Sequence, residues 1–257
     1  MIFVFDIDGV IRDVGGSYRR ALADTVEQFT DGHYRPTPED IDRLKAEGCW
    51  NNDWKGSQEL IYRYWQGQGR SRPELNLNYD ALVEFFQSRY RGDNLDGYIA
   101  TEPLLASPGY FAGLTAQNVC WGFFSGATRA SAEFVLHQRL DLDKPILVAM
   151  EDAPEKPEPT GLFQVCEQLQ DQGQKQAATV AAIYAGDTVA DMYTIREARA
   201  QRPDLPLFAV GVIPPHAQGT SARKVQYQQQ LEAAGADCVI DNIEQLTPEL
   251  GRSLTGC

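Results

Sequence analysis

The sequence predicts an α/β protein: a doubly wound parallel sheet with an all-helical domain inserted into its first connection. Three observations predict it. Short apolar runs recur along the chain, helical patterns separate the later runs, and the gap between the first two runs is far longer than a crossover needs.

The apolar runs cover residues 2–5, 119–124, 146–149, 180–185, 207–212 and 237–240. Each is too short for a typical helix and is flanked by turn-prone or charged residues, as expected of buried parallel strands. Helical spacing appears over residues 129–140, 160–170, 190–200 and 221–234. Between the first two runs the chain carries its own helical patterns, at 18–29, 38–47, 57–66 and 79–90. Leu60, Ile61, Tyr64 and Trp65 show the helical recurrence there. Residues 15–103 therefore read as the inserted domain, with 1–14 and 104–257 forming the core. Gly15-Gly16 and residues 97–108 would be the two links. The glutamine-rich stretch 164–176 reads as a solvated helix end.

Composition narrows the function classes. The chain has 36 acidic against 23 basic residues, a net charge of −13. That balance argues against bulk nucleic-acid or anionic-membrane binding, which needs a basic surface, but allows a small anionic ligand at a local positive site. No run approaches the roughly 18 apolar residues of a membrane helix, and the opening lacks the basic region of a signal peptide. Five scattered cysteines without a CxxC make a disulfide framework or structural zinc improbable. A cytoplasmic protein is expected. Cys49 reads as a small apolar filler, and His33, His137 and His216 as structural or surface residues.

In open parallel sheets ligands bind beyond the carboxyl ends of the strands. Four of these ends carry chemistry. The first is Asp6-Ile7-Asp8-Gly9-Val10, whose carboxylates at i and i+2 share one side of an extended chain. The second is Ser125-Gly126-Ala127-Thr128, a hydroxyl and backbone amides before a helix, with Thr128 suited to capping it. After the third comes Lys156, among acids in a proline-stiffened loop. The fourth is Gly186-Asp187-Thr188-Val189-Ala190-Asp191, where Asp187 could cap the helix and Asp191 complement its dipole. Four clustered acids repel one another unless a cation neutralises them, and oxygen-only ligands suit Mg²⁺. Metal, carboxylate nucleophile and anion clamp together suggest phosphoryl transfer.

The ordered pattern of DxDGV, hydroxyl-bearing loop, Lys-Pro and GDxxxD resembles the haloacid dehalogenase-like hydrolase superfamily. The helical insertion resembles the cap of its phosphoglycolate phosphatase-like branch, and residues 48–54 (GCWNNDW) resemble a poorly characterised subgroup. The resemblance implies a Rossmann-like core and a Mg²⁺-dependent phosphatase acting on a small phosphorylated metabolite, as a monomer or homodimer. It implies that Asp6 attacks phosphorus and that Asp8 protonates the leaving oxygen and then activates water. Mg²⁺ would be held by Asp6, the Asp8 carbonyl and Asp187, with Asp191 supporting it. Ser125, Gly126 and Lys156 would bind the phosphoryl oxygens.

Rivals within the superfamily are weaker. Dehalogenases lack the second acid that Asp8 supplies. Sugar phosphomutases carry a cap-loop arginine absent from residues 47–60. Phosphonate hydrolases need a cap lysine, for which Lys55, an exposed loop residue before a helix at Ser57, is the candidate. A non-catalytic binding protein would have lost one of Asp6, Asp8, Lys156 or Asp187. Substrate selection is expected from Asn51, Asn52, Asp53 and Trp54 in the cap, and from Arg129.

Overall fold

The computed structural model describes residues 1–172 and 180–256. In chain order the elements are β1 (Ile2–Phe5), α1 (Tyr18–Phe29), α2 (Pro38–Lys45), α3 (Asp53–Gly67), α4 (Tyr79–Tyr90), α5 (Pro108–Ala116), β2 (Cys120–Phe124), α6 (Arg129–Glu133), β3 (Leu147–Val148), α7 (Thr160–Gln172), β4 (Ala182–Gly186), α8 (Val189–Gln201), β5 (Leu207–Val212), α9 (Ser221–Ala234), β6 (Cys238–Ile240) and α10 (Pro248–Thr255). Helix α6 runs on into a π-type turn over Phe134–Arg139. Two compact units result, Met1–Asp13 with Pro103–Cys257, and Val14–Glu102.

In the first unit six strands form one sheet in the order β3-β2-β1-β4-β5-β6, every pair parallel. Alternation along β1 shows how it is packed. Phe3 and Phe5 face a cluster with Phe111 of α5, Phe123 and Val135, while Ile2 and Val4 face Leu162 and Val165 of α7 and Met192 and Ile195 of α8. All four β1 residues are buried. A strand apolar on both faces must be central, with helices on each side. Truncating one such aromatic, Phe5→Ala, removes packing of about 3–5 kcal/mol.

The second unit is all helical. Leu22 and Val26 of α1, Leu60 and Ile61 of α3 and Leu82 and Phe86 of α4 are buried in it. Tyr18 meets Phe86 and Tyr90 edge-on, with ring centres 5.1 and 4.6 Å apart. Ser17 donates a buried hydrogen bond to the Glu102 carboxylate and so ties the unit's two ends together.

Several expectations change. The third helix of the insertion begins at Asp53 rather than Ser57, because Asn52 caps it: its Oδ1 accepts from the amides of Trp54 and Lys55 at 3.0 and 3.1 Å. Lys55 is thus an exposed first-turn helical residue rather than a loop residue. Residues 97–108 are not a plain link, since a short 3-10 turn (Tyr98–Thr101) lies within them and α5 begins at Pro108. Helix α10 was not expected either. Cys49 is an exposed thiol, not a packed filler. Tyr64 and Trp65, read from the sequence as core of the inserted domain, are only partly buried, Tyr64 stacking on Tyr34 with centres 5.4 Å apart. Glutamine-rich residues 173–176 and Cys257 lie outside the described residues.

Candidate active site

The site is assembled where β1, β2 and β4 end. Asp6 follows β1 directly, and its amide extends the ladder by donating to the Ala185 carbonyl at 2.8 Å. Asp6 is buried at 6% exposure. Its Oδ1 lies 3.0 Å from the Lys156 ammonium, with which it forms an ion pair. Burial, reinforced by Asp191 and Asp8, pushes the Asp6 carboxyl up to about 7 despite the opposing pull of Lys156.

Gly9 turns the chain at φ +76°. A Cβ there would lie 2.0 Å from Oδ2 of Asp187. Glycine is required twice, for the left-handed backbone and for the approach of that carboxylate. The conformation thus brings the acid after β4 against the loop after β1.

Asp187 is buried, and its carboxylate makes no hydrogen bond or ion pair among the described residues. Burial, with repulsion from Asp191 and Asp6, raises its proton affinity well above that of an ordinary aspartate. Asp191 is the opposite case. Its Oδ1 accepts from Lys156 Nζ at 2.7 Å and Tyr184 Oη at 2.8 Å. Its Oδ2 accepts from the Thr188 amide and hydroxyl at 2.9 and 2.6 Å. Burial alone would raise its pKa, but Lys156 and these donors outweigh that and lower it. Thr188, not Asp187, caps α8, in a reciprocal capping box with Asp191.

Lys156 is 4% exposed, held between Asp6 and Asp191, with its ammonium 5.2 and 5.3 Å from the ring centres of Phe124 and Tyr184. Burial would lower its pKa, but Asp191 and Asp6 outweigh burial and hold it above the usual lysine value. Ser125 is buried after β2, and its Oγ accepts from the Ala127 amide at 3.1 Å. Gly126 is partly exposed beside it. Thr128 precedes α6 but gives it no side-chain cap and donates to Ser131 Oγ instead. Arg129 is engaged by Glu133 and Asp152, and its amide donates to Glu151 at 2.9 Å. Asp8, partly exposed, accepts from Nε of Arg12 on Oδ1 at 2.6 Å, and Nη2 makes an ion pair with the same oxygen at 2.5 Å.

Sequence reasoning missed Arg12, Tyr184 and Thr188. Arg12 carried a readable signal, a base four residues past Asp8. The role of Tyr184, inside an apolar strand run, carried none.

Oxygens of Asp6, Asp187 and Asp191 lie within 4.8 Å of one another. Four carboxylates meet two cationic side chains here, an excess of two negative charges that one divalent cation matches. The all-oxygen donor set and the Asp187 carboxylate, unbonded among the described residues, fit Mg²⁺.

In the helical unit Asn52 is spent as the α3 cap, and Asp53 pairs with Lys45 at 2.8 Å. The Asn51 carbonyl accepts from Lys45 at 3.1 Å. The Trp54 indole N–H is buried without a hydrogen-bond partner among the described residues.

No helix among the described residues is long and apolar enough to cross a membrane. Among solved structures, phosphatase Tt82 from Thermococcus thioreducens is 20% identical with a TM-score of 0.60, covering 90% of this chain and 99% of its own. A haloacid dehalogenase family hydrolase from Deinococcus radiodurans R1, solved with bound phosphate and sodium, is 16% identical with a TM-score of 0.62 over 99% and 96%. A β-phosphoglucomutase from Pyrococcus sp. strain ST 04 is 15% identical with a TM-score of 0.60 over 100% and 98%. These likenesses show the fold. An imidazoleglycerol-phosphate dehydratase of Phytophthora nicotianae is 30% identical over 260 aligned residues, 98% of this chain and 51% of that protein. The chain thus spans about half the length of the curated relative it matches. A family model described as haloacid dehalogenase-like hydrolase matches residues 1–199, which contain all four acid, hydroxyl and lysine motifs. The motif ends gathered by β1, β2 and β4, together with that match, establish that this chain belongs to the haloacid dehalogenase-like hydrolase family.

Proposed function

We propose that the chain is a Mg²⁺-dependent phosphatase of a small phosphorylated metabolite, working through an aspartyl-phosphate on Asp6, with the inserted helical unit as its cap. The observation that carries this reading is the buried Asp6 carboxylate at the end of β1, with its Oδ1 3.0 Å from the Lys156 ammonium and with oxygens of Asp187 and Asp191 within 4.8 Å.

Asp6 attacks phosphorus, and the bond from phosphorus to the ester oxygen breaks. The bonding pair stays on that oxygen, which takes a proton from Asp8 as the alcohol leaves. Water then attacks the phosphoryl group, gives its proton to Asp8, and releases phosphate and the Asp6 carboxylate. Lys156, fixed by Asp191, follows the phosphoryl charge, with Ser125 and the Gly126 amide as further donors. Asp6, the Asp8 carbonyl and Asp187 would hold Mg²⁺, which when bound supplies positive charge to the phosphoryl oxygens. Asp191, with both oxygens already occupied, supports this set through Lys156.

The test is phosphate release from a panel of phosphorylated metabolites, with Mg²⁺ and with chelator. The panel includes imidazole-bearing phosphate esters, because the half-length relative is named for one. Hydrolysis that chelator removes and Asp6→Asn abolishes is expected. Full activity in either condition overturns the reading. Net transfer of phosphate between two positions of a sugar, without release, would identify a mutase instead.

A further inference from the structure

We propose that Arg12 is a positioning residue that orients the Asp8 carboxyl for proton transfer. The inference rests on the phosphatase reading above and deepens it. Arg12 has no exposed surface at all, and it is the largest fully buried side chain among the described residues. Burying a guanidinium is expensive unless its partners are well placed. The backbone holds it in place: Gly9 donates to the Arg12 carbonyl at 2.9 Å, Leu105 to the Ile11 carbonyl at 2.8 Å and Asp13 to the Pro103 carbonyl at 2.8 Å. The segment that turns at Gly9 thus returns and is pinned against residues 103–105, with short bridges from Arg12 to Asp8 and to Leu104.

Two guanidinium nitrogens meet one oxygen of Asp8. Nε donates to Asp8 Oδ1 at 2.6 Å, and Nη2 pairs with the same oxygen at 2.5 Å. Asp8 Oδ2 makes no hydrogen bond among the described residues, and the Asp8 side chain is 23% exposed. One oxygen is clamped and the other is left open. A carboxylic acid carries its proton on one oxygen, so the clamp assigns proton transfer to Oδ2 and fixes the direction in which it points. A freely rotating aspartate would present either oxygen and lose much of the benefit of orientation. Arginine itself stays charged and cannot be the acid. In the first step the proton on Oδ2 passes to the ester oxygen as its bond to phosphorus breaks. In the second step Oδ2 takes one proton from water.

A structural role and a positioning role separate on the leaving group. The ratio kcat/KM reports the step in which the ester oxygen departs, before the aspartyl-phosphate is hydrolysed. The probes are 2,4-dinitrophenyl, 4-nitrophenyl and phenyl phosphate, whose phenols become weaker acids in that order and so need the proton increasingly. Arg12→Met is expected to lose roughly 100-fold in kcat/KM on phenyl phosphate and under about 5-fold on the dinitrophenyl ester. Arg12→Lys, with charge but only one contact, is expected to lose about 10-fold on phenyl phosphate and to leave the dinitrophenyl ester nearly untouched. The same loss on all three esters, or no loss on any, overturns the proposal. If Arg12→Met shows no cooperative thermal transition, the Arg12→Lys comparison decides by the same criterion. No hydrolysis of any ester by the unaltered chain overturns the phosphatase reading itself.

Discussion

At the scale of single residues the site depends on which carboxylates are already satisfied. Asp191 has four donors and Asp187 none among the described residues, although the two lie in one short motif. Their sequence spacing revealed the pair but not this division, because it depends on Lys156 arriving from the loop after β3 and on Tyr184 of β4 reaching Asp191. The same holds for the cap segment, where Asn52 was read as a substrate contact and its Oδ1 is a helix cap. Gly9 gives a test at this scale. Gly9→Ala adds left-handed strain of about 1–3 kcal/mol and a methyl group where the Asp187 carboxylate lies. Denaturant unfolding should show that loss, and the Mg²⁺ concentration for half-maximal activity should rise. Unchanged values in both measurements would show that the loop relaxes freely.

Among the elements, the strands were readable because each is a short apolar run that had to be buried. Their edges moved by only one or two residues, as at β4, seen from 180 and found from Ala182 to Gly186. Helix α5 escaped because glycines and small residues blur its periodicity, and α10 because its eight residues hold little more than two turns. Ser107-Pro108 and Thr247-Pro248 were nevertheless start signals, each a capping hydroxyl followed by proline at the first helical position. The start of α3 was missed for the same kind of reason, since Asn52 caps a first turn, Asp53 to Gly56, that lacks apolar spacing. Replacing Asn52 with alanine should therefore cost about 1 kcal/mol of stability. Thermal unfolding measures that cost. If the residue acts only as a cap, kcat/KM should fall by the same factor for a metabolite and for an aryl phosphate. A loss confined to the metabolite would restore Asn52 as a substrate contact.

For the molecule as a whole, the acid cluster ties stability to pH and to metal. Asp6 is raised from 3.8 to about 7 in the folded chain, and Asp187 is raised as well. Raised acids stabilise the fold while protonated, so this contribution is complete below the unfolded value and is lost as pH rises through the folded one. On the proposed reading Mg²⁺ would bind the ionised form, so its gain in melting temperature should grow from about pH 5 to about pH 8. Thermal melts with and without Mg²⁺ test this, and a gain that shrinks with rising pH contradicts it. The sheet order has a further consequence, for synthesis. Strand β1 is made first, yet its neighbours pair at Cys120 and Ala182, so the central strand waits for most of the chain. During that interval Ile2–Phe5 is an exposed, sticky tetrapeptide. The acids that follow it, Asp6 and Asp8, place charge beside it, as gatekeepers do next to aggregation-prone segments. Carboxylates that the proposed reading assigns to chemistry in the finished protein thus also guard its first strand until partners emerge from the ribosome.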